Sequence, residues 1–199
     1  MKNAKKILSL LLCAVLLVGA TIAGTLAYLT DDDTVENTFT IGKVDIYLDE
    51  EDVDNSNTDS EDGVEGRDKA NEYHLMPGST FTKDPVVHVK NDSEDSYIFV
   101  EINNQLKDII DITTIEDQIA ANDWTILEEG GNVYYKEWTQ PQDTDGYTDL
   151  AVFEYFKIKQ NVSNTTLNSY ADKVITVNAY AIQKENTTDA ANAWSIVNL

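Results

Sequence analysis

The chain has two histidines, His74 and His88, and their positions limit what metal chemistry it can do. An HExxH zinc peptidase needs two histidines one helical turn apart, with a glutamate base between them. His74 and His88 lack that spacing: one lies near a turn and the other in a strand-like run. Zinc also accepts carboxylates, so a zinc site of His74, His88 and an acid stands as the alternative. Nucleophilic catalysis has less support. The single cysteine, Cys13, sits in an apolar leader, and no serine occupies a Gly-x-Ser-x-Gly elbow. No catalytic set emerges, and the expectation is a protein that is not an enzyme.

Oxygen ligands are plentiful and suit a harder ion. Asp143-x-Asp145-Gly146-x-x-Asp149, with Glu154 at the twelfth place, has the outline of an EF-hand loop, although its glycine stands at the fourth position rather than the sixth. Calcium at Asp143, Asp145 and Asp149 is therefore a possible ligand, with no cofactor required. The run Asp49-Glu50-Glu51-Asp52-x-Asp54, with Asp59, Glu61 and Asp62, reads as a solvated charge block that gathers cations diffusely. Asn161-Val162-Ser163, Asn164-Thr165-Thr166 and Asn186-Thr187-Thr188 match a glycosylation sequon and read as polar loop sequence.

These groups are carried by a chain with export signals at its start. Lys2, Lys5 and Lys6 precede an apolar run from Ile7 to Ala23, the layout of a secretory signal peptide. Thr25 and Ala27 are the small residues a signal peptidase reads, which places the cut before Tyr28. An uncleaved anchor is the alternative, because the run approaches the ~20 apolar residues that span a bilayer. The expected organisation is a signal peptide over 1–27, an N-terminal segment over 28–42 and one domain over 43–199, with no stable membrane span after cleavage. Thirty-six acidic residues against 14 basic ones give a net charge of −22. That excess argues against nucleic acid and anionic membranes as partners.

Tyrosine, tryptophan, valine, isoleucine and threonine favour sheets. Alternation predicts strands from Val44, over Thr80 to Lys90 with Pro85 restricting it, over Tyr97 to Asn103 as a central strand, over Ala151 to Lys159 and over Val174 to Gln183. Trp124 to Leu127 and Val133 to Trp138 flank a hairpin turn. Met76-Pro77-Gly78-Ser79 is a turn, and Gln140 to Asp149 and Gln160 to Asp172 are polar loops. Thr113-x-x-Glu116 predicts a capping box opening the one short helix, and Asp49 to Lys69 a long acidic loop. The fold class is all-β, an antiparallel β-sandwich with one short helix and long acidic loops.

Gly24-Thr25-Leu26-Ala27-Tyr28-Leu29-Thr30-Asp31, then Asn37-Thr38-Phe39-Thr40-Ile41-Gly42-Lys43-Val44-Asp45-Ile46, resembles the start of the TasA/camelysin (CalY) family of Gram-positive bacteria. Met76-Pro77-Gly78, Val86 to Asn91, Tyr97 to Glu101, Val177 to Gln183 and Ala193-Trp194 extend the resemblance. It implies a jelly-roll-like domain, release by a SipW-type signal peptidase, and self-association into extracellular biofilm-matrix fibres, with minor matrix subunits as possible partners. Localisation would then be the extracellular matrix or cell surface. The resemblance also implies that the mature N-terminal segment adds as a strand to the next subunit, with Tyr28, Leu29, Val35, Phe39 and Ile41 as anchors. The alternative is that this segment folds back onto its own sheet. Camelysin-type proteins have also been classed as metallopeptidases, and an acidic calcium- or protein-binding surface domain is the third reading.

Overall fold

The computed structural model describes residues 43–55, 66–185 and 187–197. The expected cleavage residues Thr25, Ala27 and Tyr28 and the expected anchors, Tyr28 with Leu29, Val35, Phe39 and Ile41, lie outside the described residues.

The described chain is mostly antiparallel strand. One sheet has the order β2-β1-β4-β8, formed by Arg67–Asp68, Ile46–Glu51, Val86–Lys90 and Tyr147–Ala151. The other has the order β10-β5-β7-β6, formed by Ile175–Gln183, Ser96–Asn104, Val133–Trp138 and Thr125–Ile126. A two-stranded ribbon joins β3 (Thr80–Thr82) to β9 (Tyr155–Lys157). The chain crosses between the sheets from β4 to β5 and from β7 to β8, the alternation of a jelly-roll-like sandwich, and no sheet closes into a barrel.

Period-two alternation explains the layering. Val87 and Val89 of β4 and Ile98, Val100 and Ile102 of β5 are buried in one core, joined by Ile46 and Leu48 from β1 and Val177, Ala179 and Ala181 from β10. The opposite face of β5 is apolar too. Phe99 is fully buried beneath helix α3 (Ala190–Val197), with Trp194 5.2 Å from its ring. β5 is therefore central and covered on both faces, as its two-sided apolar pattern predicts.

Several expectations need correction. The run from Thr80 to Lys90 is two strands in different sheets. It breaks at Pro85, whose carbonyl accepts from Val152 N at 2.9 Å. The run from Ala151 to Lys159 also breaks, because side chains at the C-terminal end of α1 (Ile112–Ala121) and just beyond it take up the backbone there. Asn122 donates to Val152 O at 3.1 Å, and Trp124 Nε1 to Ala151 O at 2.7 Å. Gln118 Oε1 accepts from Glu154 N and Tyr155 N, while its Nε2 donates to Tyr155 O and to Thr114 O.

At about 1 kcal/mol net per hydrogen bond, with water replacing part of the loss at this exposed site, Gln118→Ala is expected to cost about 1–3 kcal/mol. Urea denaturation measures it. A change inside experimental error would mean that β9 holds its place without this clamp.

The single expected helix is present, but its capping box is not. Asp111 is the N-cap, no side chain caps the first turn, and Thr113 Oγ1 donates to Asp111 Oδ1 instead. Two more short helices stand where polar loop and tail were expected. They are α2 (Asn164–Asn168), capped by Ser163 accepting from Thr166 N at 3.1 Å, and α3. The segment Gln140 to Asp149 ends in strand from Tyr147 onward.

The acidic stretch from Asp49 to Lys69 is also more ordered at its ends than expected. Glu50 and Glu51 pair with Asp68 and Arg67 in a hairpin, and Glu50 and Asp68 are buried. Basic partners compensate the charge at its start: Lys83 reaches Glu50, and Arg67 bridges Asp49 to Asp84 outside the stretch.

Candidate functional site

Among the described residues, β1 and β10 flank a hollow between the two sheets. There a groove of about 990 Å³ is walled by Leu48, Leu75 and Phe156 and by the β10 residues Ile175 and Val177. Its polar floor is the Glu50–Lys83 ion pair, 2.6 Å long and nearly dry on both sides. Tyr73 lies in the wall with its ring edge-on to Phe156 at 5.3 Å, and its hydroxyl has no hydrogen-bond partner among the described residues.

Burial, and then the charge of Glu50, push the Tyr73 hydroxyl well above the ordinary tyrosine value of 10.0. Burial likewise raises Tyr134, helped by Glu116. Below about pH 10 folded and unfolded chains both keep these protons, so the shifts change nothing. Above it the unfolded chain ionises first and binds fewer protons, so stability falls as pH rises. The expected result is a denaturation midpoint that is flat from neutral to mildly alkaline pH and drops above about pH 10. Tyr73→Phe should blunt the drop, and an unchanged drop in that variant would assign it to other groups.

β10 is the feature beside the groove. Among the described residues its only strand partner is β5, which leaves its other edge open. The edge runs nine residues, Ile175 to Gln183, without a charge, a proline or a glycine. Exposed edges are ordinarily blunted by lysine, proline or bulges against pairing with another chain. Among the described residues the neighbouring groove and a second, shallower hollow at Val44, Ile182 and Ile196 border it.

His88 lies on the outer face of the first sheet, in register with Tyr47 on one side and Asp149 on the other. Its Nδ1 is 2.6 Å from Asp149 Oδ1, its Nε2 is 3.0 Å from Asp49 Oδ1, and Tyr47 stacks on it at 4.2 Å. Asp49 continues the row to Arg67 and Asp84. Burial pulls the Arg67 guanidinium down, but its hydrogen bond and charge pairing with Asp49, and then Asp84, leave it above its usual value. The row crosses β8, β4, β1 and β2 and ties four strands together. Asp149 is thus engaged with the imidazole, while Asp143 and Asp145 stand exposed on the preceding loop, where Asp143 accepts from Asp145 N at 3.1 Å. The structure does not gather the three aspartates around one point. Among the described residues the group of three that does converge is Asp52, Asp54 and Asp68, with carboxylate oxygens within 4.8 Å of one another. Spacing could not have found it, because the acids come from the two ends of the 49–69 stretch.

Residues 2–71 match the family model described as camelysin metallo-endopeptidase. Over that stretch, about a third of the chain, the sequence is similar to the camelysin family. The match spans the leader junction, β1 and β2, which is where the resemblance read from the sequence is densest. No curated protein and no solved structure matches the chain.

The camelysin description names a metal-dependent peptidase, a chemistry that needs a set of zinc ligands. Both His88 nitrogens are engaged by carboxylates on opposite sides of the ring, and His74 is exposed outside the strands. The converging trio is oxygen-only, whereas catalytic zinc takes three ligands that include nitrogen or sulfur. The described residues do not fit a catalytic zinc. Among them no helix is long and apolar enough to cross a membrane.

Proposed function

We propose that this camelysin-like chain is an exported structural subunit of an extracellular matrix or surface fibre, polymerised by strand addition. The donor is residues 28–42 of a second copy, and the acceptor is the β10 edge with its groove. The observation that carries the reading is that nine-residue uncharged edge, in a chain whose net charge is −22. An incoming strand gains main-chain hydrogen bonds along the edge and places alternate side chains in the groove, as β-augmentation does elsewhere. Val35, Phe39 and Ile41 share one face of such a strand.

Burying three anchors of that size yields roughly 5–8 kcal/mol. Ordering ten backbone residues costs on the order of 10–20 kcal/mol, so the ladder along β10 must supply the difference. Assembly is therefore conditional, and repulsion between acidic subunits adds to the barrier until salt, acid or calcium screens it. Processing would fall to a SipW-type signal peptidase.

The test is negative-stain electron microscopy of protein beginning at Tyr28 beside protein beginning at Lys43, each with and without acid and calcium. Fibres from the first and monomers from the second are expected. Monomers from both in every condition would overturn the reading and favour a binding module or a peptidase.

A further inference from the structure

Glu50 holds a lysine on one carboxylate oxygen and a carboxamide on the other. Lys83 Nζ lies 2.6 Å from Glu50 Oε2, and Asn71 Nδ2 donates to Glu50 Oε1 at 3.1 Å. Glu50 is 5% exposed and Lys83 9%. The carboxamide is fixed at both ends: Asn71 Nδ2 also donates to Glu51 O at 2.8 Å, and Asn71 Oδ1 accepts from Val53 N at 2.8 Å. Each of these contacts has a structural use. Together they put a buried amine and a polarised carboxamide on one shared carboxylate, the acid–base group that amide exchange between two side chains uses.

We propose that Lys83 and Asn71 form an intramolecular isopeptide bond, with Glu50 as the proton shuttle. Lys83 passes a proton to Glu50 Oε2, and the freed amine attacks Asn71 Cγ to form the Nζ–Cγ bond. The negative charge that develops on Asn71 Oδ1 faces the Val53 N–H, a donor already in place where it is needed. Glu50 protonates Asn71 Nδ2, the Cγ–Nδ2 bond breaks, and the proton shed by the new amide nitrogen leaves with the departing ammonia as ammonium. A primary ammonium and a carboxamide become a secondary amide and ammonium, with no change of oxidation state and no co-reactant.

The product ties residues 71 and 83 into a covalent ring that contains the turn at Met76 to Gly78, with Tyr73, Leu75 and Lys83 lining the groove beside Glu50 of β1. A chain whose one cysteine is Cys13 cannot close such a ring with an internal disulfide. The inference stands apart from the fibre reading, since it concerns a bond within one subunit.

The test is the intact mass of folded protein beginning at Tyr28, beside Lys83→Arg and Glu50→Gln, followed by fragmentation of a proteolytic digest. The expected wild-type mass is lower than the sequence mass by one ammonia, with a branched peptide joining Asn71 to Lys83, and both variants should keep the full mass. A wild-type protein at full mass after prolonged incubation would overturn the proposal. So would an ammonia loss that persists in Lys83→Arg, because it would then belong to another asparagine. If the variants fail to fold, the presence or absence of the branched wild-type peptide decides alone.

Discussion

Replacing Thr176 by lysine is expected to leave the subunit folded and to abolish fibre growth. Thr176 is exposed and lies on the open edge strand, in register with Asn103 of β5. A surface substitution of this kind ordinarily changes stability by no more than about 0.5 kcal/mol. At the edge the same charge acts against pairing, because a docking strand must desolvate it or bend around it. The effect on assembly is then all or nothing while the effect on folding is small. That separation is what distinguishes an edge-mediated fibre from one built through another surface. Electron microscopy and a urea denaturation curve on one preparation read both. Fibres of wild-type abundance from Thr176→Lys would move the contact off β10, even if truncation at Lys43 still prevented assembly.

How much of this could be read from the sequence depended on whether a residue's partner was local. β5 and β10 were legible because their own alternation carries them, whereas α1 was placed by a Thr113-x-x-Glu116 capping box that does not form. The breaks at Val152 and Phe153 were not legible, since the groups that end the strand are Gln118, Asn122 and Trp124, some thirty residues upstream in sequence. The acidic block misled for the same reason. Asp49, Glu50 and Asp68 look like solvated charge until Arg67, Lys83 and His88 are seen against them. Ser163-x-x-Thr166 is the one signal that was present and passed over, a serine cap opening α2 ahead of the buried Leu167. The metallopeptidase question turned on geometry as well. Two histidines without a motif leave zinc open, and only the carboxylates on both sides of His88 show how that ring is used.

Truncating Phe156 to alanine is expected to be among the most destabilising single changes in the domain, at about 3–5 kcal/mol. The ring is 1% exposed and sits at the centre of an aromatic cluster, stacked on Phe81 at 5.3 Å and 20° and met edge-on by Tyr73 at 5.3 Å. The cost combines lost transfer energy with a cavity the neighbours cannot fill, because β9, which carries Phe156, is held through Gln118 and through its register with β3. Against a total stability of roughly 5–15 kcal/mol, such a loss takes a large share. The urea midpoint should fall with little change in slope. Because Phe156 and Tyr73 both line the groove, the variant should also weaken strand capture under conditions where the domain remains folded. A loss below about 1 kcal/mol would mean that the β3–β9 ribbon unfolds independently of the sandwich. The groove would then be bounded by a separate, mobile wall, and its shape alone could not select the incoming strand.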